Sequence, residues 1–339
     1  MPPPFRLGLG ARTHSVAGPS KGGTLKGKYL GHLDHSDPLY GYIQGDIAPQ
    51  LGFFFPDAVY RVFKFTCSQS VYLYEERESR IRIVVKFHEQ HHPGSPFPLR
   101  STGEKEYGDL LYVRGIGFTS AADYVVKPLG YNAGICNALV MEYLEGDPLC
   151  SVITNAIFCG NRGRLYSKLA ALARFLAALH NRTAGEGKVN HDETHGYAGK
   201  LIASLVTKWG MAQTDSDELY FLRDRWRAKS CMWEDNAVLV HGDATPSNFL
   251  FGHGQSAMAI DFERMKWADR VFDLGRLCGE LKHVFFQTTG DPHAAEPFIG
   301  HFLWEYCGYF PDRMSAFRAV TRRLPFHMGI TLLRIARNS

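Results

Sequence analysis

The sequence predicts an α+β fold in which a small antiparallel sheet is followed by a mostly helical region. Three short runs of β-branched and aromatic residues lie between residues 58 and 87 and are separated by polar turns, which is typical of neighbouring strands. From residue 165 to residue 180, leucines recur at steps of three and four, which is the spacing of the buried face of a helix. The chain has 339 residues, of which 45% are hydrophobic, so it can bury a substantial core.

The composition argues against several classes of protein. The net charge at pH 7 is +4 and the sequence contains no basic stripe, so we expect no nucleic-acid partner. No apolar run is long enough to span a bilayer, and the N-terminus lacks the apolar core of a signal peptide. Seven cysteines without a C-x-x-C pair are typical of reduced thiols. We therefore expect a cytoplasmic protein without a membrane-spanning segment.

Residues 1–50 are rich in Gly, Pro and His and show little periodicity, so we expect a partly ordered N-terminal extension. Within it, the segment Gly22–Lys28 nearly matches a phosphate-binding P-loop. However, Tyr29 occupies the position of the metal-binding Ser or Thr, and no predicted strand precedes the segment. We therefore expect a flexible basic loop rather than a P-loop.

Three predicted strands follow the extension. Their bounds are Val59–Phe65, Val71–Tyr74 and Ile81–Phe87. The turn Cys67–Ser70 joins the first two strands, and a charged turn joins the second and third. Lys86 closes the third strand after an apolar run, so we expect its side chain to lie under the sheet.

The segment after the third strand, His88–His92, reads H-E-x-x-H, which is the motif of zinc proteases. That motif binds zinc on a helix, where residues four apart share a face. Here a strand runs into the segment and Pro93–Pro96 prevents a helix from continuing, so we expect a solvated, His-rich turn. A zinc-dependent hydrolase that uses His88 and His92 is the rival enzyme class.

A helix and two more strands follow this turn. Ser101–Glu104 reads as a capping box, which predicts a helix that ends near Gly115. Short buried strands are predicted at residues 124–126 and 138–141, and Gly146 would let the chain turn away after them. The later helices are predicted at residues 165–180, 200–209, 216–229, 274–284, 298–309 and 315–337, the last with a break at Pro325.

The most informative stretch reads H-G-D-A-T-P-S-N at residues 241–248 and I-D-F-E at residues 260–263. Apolar runs that predict strands flank both motifs. Asp243 and Asn248 therefore share one loop, and Asp261 ends the hairpin that follows it. Phosphoryl transfer from a nucleotide needs such a set, because a carboxylate orients the acceptor hydroxyl while carboxylate and amide oxygens hold Mg²⁺.

The two motifs resemble those of the aminoglycoside phosphotransferase and choline kinase family, relatives of protein kinases, whose pattern is H-G-D-x-x-x-x-N followed by I-D-[FWY]-E. The resemblance covers residues 58–290 and implies a bilobal protein-kinase-like fold. Residues 51–144 would form the N-lobe, and residues 145–339 would form a helical C-lobe with the catalytic loop and acceptor site. The resemblance further implies that Asp243 is the catalytic base and that Asn248 and Asp261 are magnesium ligands.

The resemblance also implies a nucleotide site in the N-lobe. Lys86 would pair with the phosphates of ATP, with GTP as an open alternative, and a glutamate of the next helix would hold the lysine. Glu104 would be occupied in capping its own helix, which favours Glu106 as the partner of Lys86, although both glutamates remain candidates. A loop without glycine, Ser68, Gln69 and Ser70, would cover the phosphates. The backbone of the hinge between the two lobes, at Glu142, Tyr143 and Leu144, would bind the adenine.

The segment Asp269–Leu277 resembles the family sequence G-D-P-x-x-D-L-A, with Asp273 either bracing the catalytic loop or capping the helix that follows. Only eleven residues separate Asp261 from Asp273, which is too short for the segment on which protein kinases dock peptides. The resemblance therefore implies transfer of the γ-phosphoryl group to a hydroxyl of a small molecule: a sugar, an amino alcohol, a nucleoside or an antibiotic-like compound.

Two considerations refine this expectation. A catalytically inactive kinase-like scaffold is the second alternative, but it is disfavoured because Asp243, Asn248 and Asp261 are all present. The last part of the chain carries more arginines than acids, which favours a neutral or anionic acceptor. These arginines are Arg313, Arg318, Arg322, Arg323, Arg334 and Arg337.

Overall fold

The structure is a computed structural model, and it describes residues 5–6, 27–52, 56–65, 70–88, 102–252 and 254–338. The contacts within the chain divide it into two units. The first unit comprises residues 1–147 and 258–263, and the second comprises residues 148–257 and 264–339. Residues 258–263, which contain the I-D-F-E motif, thus belong to the same unit as the N-terminal strands.

The first unit contains a six-stranded antiparallel sheet. Its strands are β1 (Gly27–His32), β2 (Tyr60–Phe65), β3 (Val71–Glu76), β4 (Arg82–Phe87), β6 (Pro128–Asn132) and β7 (Ala138–Glu142), in the order β1-β2-β3-β4-β7-β6, with the separate strand β5 (Asp123–Val125) between β4 and β6 in sequence. The helices are α1 (Pro38–Tyr42), which continues as π-helical and 3₁₀ turns to Leu51, and α2 (Thr102–Gly115). Val62, Tyr74 and Val85 are fully buried in the core of this sheet.

The described part of the N-terminal segment packs into the core of the first unit. β1 pairs with β2, and Leu39, Ile43 and Ile47 are fully buried in the same core as the sheet. These three residues recur every fourth position, which is a helical spacing hidden among glycines and prolines. Of the segment that resembles a P-loop, Gly27 and Lys28 begin β1, and residues 22–26 lie outside the described residues.

The second unit is mostly helical. Its helices are α3 (Leu149–Phe158), α4 (Arg162–Arg182), α5 (His191–Trp209), α6 (Gln213–Arg227), α7 (Val271–Thr289), α8 (Glu296–Cys307) and α9 (Arg313–Asn338). Three short strands lie within it, β9 (Val238–Val240), β10 (Phe249–Phe251) and β12 (Lys266–Ala268), and β9 pairs with β12. Where the chain passes between units it forms β8 (Asp147–Pro148) and β11 (Ala257–Ala259). The leucines predicted for the buried face of α4 are all fully buried, which confirms that prediction.

Some predicted elements were wrong or missing. α9 does not break at Pro325 but runs through it. A proline inside a helix costs about 3 kcal/mol, and burial of the neighbouring Leu324, Phe326 and His327 offsets this cost. α3 was not predicted because Val152 and Ile153, both β-branched, lower its helix propensity, although both are buried. Among the described residues, no helix combines the length and the apolar character needed to cross a membrane.

Candidate functional site

Lys86 emerges from the sheet of the first unit on the face opposite the core. Along β4, burial alternates with a period of two, and Ile83, Val85 and Phe87 are the buried residues. Lys86 therefore lies on the other face, where its side chain is only 14% exposed.

The ammonium group of Lys86 contacts three carboxylates of the first unit. Its Nζ lies 2.9 Å from Oε2 of Glu106, 2.5 Å from Oδ1 of Asp261 and 3.0 Å from Oε2 of Glu263. Glu106 is fully buried on α2, whereas Glu104 is exposed. Of the two candidate glutamates, the structure thus brings Glu106 to Lys86. Ser101 of the predicted capping box lies outside the described residues.

The charge of Lys86 is fixed by this surrounding. Burial alone would lower the pKa of the lysine, but Glu106, Asp261 and Glu263 outweigh burial and raise the pKa above its ordinary value. The side chain therefore carries a positive charge at neutral pH. A buried, permanently charged ammonium is suited to bind phosphate oxygens as a point charge.

Asp261 adopts a strained backbone conformation. Its φ is +65°, in the left-handed region that only glycine, asparagine and aspartate visit with any frequency. Such strain costs on the order of 1–3 kcal/mol and is often found at functional sites. Glu263, two residues further along, is the last residue of the I-D-F-E motif. Its position in that motif was the signal that could have assigned it to Lys86.

His88 is buried, so the expected solvated turn is wrong for this residue. Its side chain packs beside Gly103, where a Cβ atom would lie 2.7 Å from the imidazole. Nδ1 lies 3.1 Å from Oγ1 of Thr102, and Nε2 lies 3.4 Å from Oε2 of Glu106. The missing side chain of Gly103 thus makes room for the ring.

The described part of the H-E-x-x-H segment does not have the geometry of a zinc protease motif. His88 directly follows β4 and is not on a helix, and His92 lies outside the described residues. Possible ligand atoms of His88, Glu106 and Glu263 do lie within 4.8 Å of one another. However, the ammonium of Lys86 already lies at about 3 Å from both carboxylates, so a cation is provided by the chain itself.

The other residues predicted to bind the nucleotide are only partly described. Ser68 and Gln69 lie outside the described residues, and the carbonyl of Ser70 accepts a hydrogen bond of 2.9 Å from the N–H of Phe87. The segment Tyr143–Leu144 has no regular secondary structure. The role of this segment in binding adenine stays a prediction.

Glu142, the first residue of the predicted hinge, accepts two hydrogen bonds through its side chain from residues of the first unit. Its Oε1 accepts hydrogen bonds of 2.7 Å from the hydroxyl of Tyr124 and 2.6 Å from the N–H of Lys127. The guanidinium of Arg82 lies 4.3 Å from the centre of the Tyr143 ring. These contacts hold the side chains of residues 142 and 143 within the first unit.

The loop that carries Asp243 belongs to the second unit, and a glycine shapes it. Gly242 has a φ of +80°, and a Cβ atom at this position would lie 2.0 Å from the carbonyl oxygen of Arg264. Only glycine fits such an approach. Asn248 ends a 3₁₀ turn in the same loop, and its Nδ2 donates a hydrogen bond of 2.9 Å to the carbonyl oxygen of Asp243. Asp243 and Asn248 are thus joined directly.

Asp273 braces this loop from within α7. Its carboxylate accepts hydrogen bonds from the N–H of His241, at 2.7 Å, and the N–H of Gly242, at 3.0 Å. Nε2 of His180 lies 3.2 Å from the same carboxylate. The alternative role as an N-cap is wrong, because α7 begins at Val271 and Asp273 lies in its first turn.

Electrostatics keeps Asp273 ionised. Burial alone would raise its pKa, but the hydrogen bonds from the side chain of His180 and from the backbone of His241 outweigh burial and lower the pKa below its usual range. The carboxylate therefore remains a hydrogen-bond acceptor for the loop at neutral pH. A fully buried acceptor of this kind fixes the backbone from which Asp243 projects.

Two arginines border the carboxylate of Asp243. Nη1 of Arg334 lies 3.7 Å from its Oδ1, and Nε of Arg276 lies 3.9 Å from the same atom. Arg276 is almost completely buried. Arg334 is one of the arginines in the last part of the sequence, but neither it nor Arg276 was predicted beside Asp243, because nothing in the sequence indicates that α7 and α9 pack side by side.

Residues 60–313, more than half of the chain, match a family model described as "Phosphotransferase enzyme family". No curated protein sequence matches the chain. Among solved structures, the Plasmodium vivax ethanolamine kinase is 14% identical with a TM-score of 0.57, and the match covers 87% of this chain and 80% of that protein.

A second solved structure is the ternary complex of streptomycin, ATP and APH(2")-IIa. It is also 14% identical, with a TM-score of 0.53, and the match covers 85% of this chain and 86% of that protein. At such low identity the likeness concerns the fold alone. The predicted protein-kinase-like fold, with an antiparallel sheet in the first unit and helices in the second, is thereby confirmed.

Proposed function

We propose that this chain, which belongs to the phosphotransferase enzyme family, transfers the γ-phosphoryl group of ATP to a hydroxyl group of a small molecule. The observation that carries the proposal is the contact of Lys86 with both Glu106 and Asp261. A lysine held by a glutamate, beside a carboxylate that follows a short strand, is the arrangement that phosphate binding in kinases requires.

In this proposal the first unit binds the nucleotide. Lys86 pairs with the phosphates of ATP while Glu106 keeps the ammonium in position. Asp261 and Asn248 are each proposed as ligands of Mg²⁺, since carboxylate and amide oxygens suit this hard cation. Mg²⁺ would neutralise the charge of the phosphates. Glu263 is a third carboxylate on Lys86 and helps to hold the ammonium in position.

The second unit supplies the base in this proposal. Asp243 accepts the proton of the acceptor hydroxyl, whose oxygen uses a lone pair to form the new bond to the γ-phosphorus. The bond between that phosphorus and the bridging oxygen breaks, and ADP leaves with the bonding electrons. Asp273 and Gly242 contribute by fixing the loop, so that the carboxylate of Asp243 needs no rearrangement before reaction.

The acceptor in this proposal is a small molecule rather than a protein. After Glu263 the chain passes through β12, residues 266–268, and enters α7 at Val271. No segment of length sufficient to dock a peptide lies between these elements. The family description names phosphotransfer and not the acceptor, so the acceptor must be found by experiment.

The test measures ATP consumption across sugars, amino alcohols, nucleosides and aminoglycosides, with mass spectrometry of the product. Asp243→Asn is the matched variant, because it keeps the size of the side chain and removes the base. We expect it to bind MgATP like the wild type while turnover with the identified acceptor falls by a factor on the order of 10² or more.

Two results would count against the proposal. Turnover by Asp243→Asn within about twofold of the wild type would remove Asp243 from the role of base, because the expected loss is far larger. Failure of the wild type to bind MgATP would exclude ATP as the phosphoryl donor. A parallel series with GTP decides between the two nucleotides.

A further inference from the structure

The carboxylate of Asp243 is bordered by the guanidinium groups of Arg276 on α7 and Arg334 on α9. Both groups lie within ion-pair distance of Oδ1, at 3.9 Å and 3.7 Å, but both are too far away for a direct hydrogen bond. Side-chain contacts between α7 and α9 continue through Gly279, which packs against Thr331. The two arginines are therefore carried by neighbouring helices at the residue proposed as the base.

Arg276 has more hydrogen-bonding capacity than its surroundings use. Its residue is 2% exposed, and among the described residues neither Nε nor Nη1 has a hydrogen-bond partner. A hydrogen bond with Tyr197 occupies part of the group, and burial is the main cause that lowers the pKa of Arg276. Burying a guanidinium without a hydrogen-bonded carboxylate is costly, so the two unused donors require an explanation.

Arg334 is held in place but not saturated. Its Nη2 lies 2.5 Å from Oε1 of Glu280 on α7, which fixes one edge of the guanidinium. Its Nε is buried and has no hydrogen-bond partner within the described part of the chain. Together with Arg276, three guanidinium nitrogens beside Asp243 thus have donors that the protein leaves unused.

We propose that Arg276 and Arg334 form an anion subsite beside Asp243, and that the acceptor is a hydroxyl compound that also carries a carboxylate or a phosphate group. This inference rests on the proposed function. The guanidinium group offers paired donors that match both oxyanions. An anion bound there would place a nearby hydroxyl of the same molecule at the base. A cationic acceptor would instead meet two positive charges, of which that of Arg276 is buried.

The first experiment compares acceptors that share a carbon skeleton and differ in charge. One series is glycerol, glycerate, glycerol 3-phosphate and 3-aminopropane-1,2-diol; the other is glucose, gluconate, glucose 6-phosphate and glucosamine. With MgATP saturating, we expect kcat/KM for an anionic member to exceed that for its neutral and cationic analogues at least tenfold. The comparison of carboxylate with phosphate members identifies which oxyanion the subsite takes.

The variants test whether the arginines cause this preference. Arg334→Gln should reduce the ratio of kcat/KM for anionic to neutral acceptors at least tenfold, mainly through KM. Arg322→Gln is the matched control, because Arg322 lies exposed on the same helix, and it should leave the ratio unchanged. Arg276→Lys keeps the charge but loses the planar fork and should also reduce the ratio; if this buried variant fails to fold, Arg334→Gln decides.

A second measurement does not depend on the right acceptor being in the series. With MgADP saturating, sodium sulfate should raise the Tm of the wild type and of Arg322→Gln above the value in sodium chloride of equal ionic strength. Because sulfate also stabilises folded proteins by exclusion from their surface, the increase should be clearly smaller, not absent, in Arg334→Gln. If no acceptor is used, this comparison alone decides, and an equal increase in the Tm of the wild type and of Arg334→Gln overturns the subsite.

The outcomes separate the subsite from the proposed function. Faster use of neutral or cationic acceptors, with MgATP-dependent turnover intact, overturns the subsite and leaves phosphotransfer standing. An equal loss by Arg334→Gln for anionic and neutral acceptors also overturns it, since the arginines would then act on Asp243 alone. A wild type that neither binds MgATP nor phosphorylates any acceptor contradicts the proposed function itself.

Discussion

Lys86 depends on three acidic residues from two distant parts of the sequence. Glu106 follows it by 20 positions on α2, whereas Asp261 and Glu263 lie more than 170 positions away. Since the lysine is shielded from water, removing any one of these carboxylates changes the balance of charge around a buried cation. The role of Lys86 is therefore best tested by substituting it together with one of these carboxylates.

We predict that Lys86→Met and Glu106→Gln each lower kcat/KM for ATP at least about tenfold, because each breaks a buried ion pair. Their combined effect should be less than additive, since the second change removes an interaction that is already lost. Lys86→Arg should not restore activity, because a planar fork does not replace a compact ammonium. A double-mutant cycle measures this coupling.

Glu104→Gln is the matched control for this cycle, because Glu104 lies exposed on the same helix as Glu106. It should change kcat/KM for ATP by less than about twofold. Strictly additive losses for Lys86 and Glu106 would mean that they act independently. A large loss with Glu104→Gln would assign the pair to the other glutamate.

His191 provides a prediction about pH. It is buried at the start of α5, with the rings of Trp233 and Phe326 centred 5.5 Å and 5.0 Å away. Burial, followed by the charge of His327, lowers the pKa of His191 to about 4. In the unfolded chain this histidine has a pKa near 6.5, so the unfolded state takes up the proton first as the pH falls. Stability should therefore decrease between about pH 6.5 and pH 4.

The Tm measured at pH 7.5 and pH 5.5 tests this prediction. His191→Phe keeps an aromatic ring in the pocket and removes the titrating group, so the fall in Tm between the two values should be smaller than in the wild type. His293→Gln removes an exposed histidine and should leave the fall unchanged. An identical fall in all three proteins would show that His191 does not control acid sensitivity.

At the scale of elements, the loop between β9 and β10 is held through its backbone by residues that lie outside it. Asp273 receives the N–H groups of His241 and Gly242, and the carbonyl of Arg264 lies against Gly242. The loop can therefore keep one conformation although its residues are those of an ordinary polar turn.

We predict that Gly242→Ala destabilises the protein by more than about 2 kcal/mol and abolishes turnover, because the added Cβ combines an unfavourable φ with a clash against backbone. Gly290→Ala is the matched control. Gly290 also has a positive φ, but a Cβ there would meet no atom within 4 Å, so only the strain of about 1 kcal/mol remains. Urea denaturation and turnover measure both variants. Equal losses would mean that the clash is relieved by a small backbone shift.

The same elements show what the sequence could and could not predict. The strands β2 to β4 and the face of α4 follow from alternation and from leucine spacing, since each is a local pattern. The H-G-D loop and Asp261 follow from motifs. The placement of β1 against β2, the continuous α9 and the buried His88 depend on packing between distant segments, which no local pattern contains. For the same reason, the neighbourhood of Arg276 and Asp243 was missed.

For the whole molecule, binding of MgATP should increase the stability of the folded protein. A ligand at 100 times its Kd stabilises a protein by about 2.7 kcal/mol, so MgATP should raise the Tm by several degrees. Asp261→Asn should remove the magnesium-dependent part of this increase, and asparagine still tolerates the left-handed φ of this position. Asp46→Asn, at an exposed site of the same unit, should retain the increase.

The same preparation tests the zinc hydrolase. Elemental analysis of the purified protein should find no stoichiometric zinc, and chelation should leave the Tm unchanged without nucleotide. One zinc per chain that disappears in His88→Ala would favour the hydrolase, because structural zinc contributes directly to folding. If the increase in Tm with MgATP persists in Asp261→Asn, Asp261 is not the main magnesium ligand.

Residues 258–263 belong to the first unit although they lie far from it in sequence, so the first unit cannot be produced complete as one continuous fragment. A fragment that ends at residue 147 would contain every strand of the six-stranded sheet and the glutamate of α2, yet Lys86 would lose Asp261 and Glu263. The fragment could fold without its proposed nucleotide site. Joining residues 258–263 to the end of such a fragment through a designed linker would restore the missing carboxylates, so the site is best transplanted as two pieces of chain and not as one.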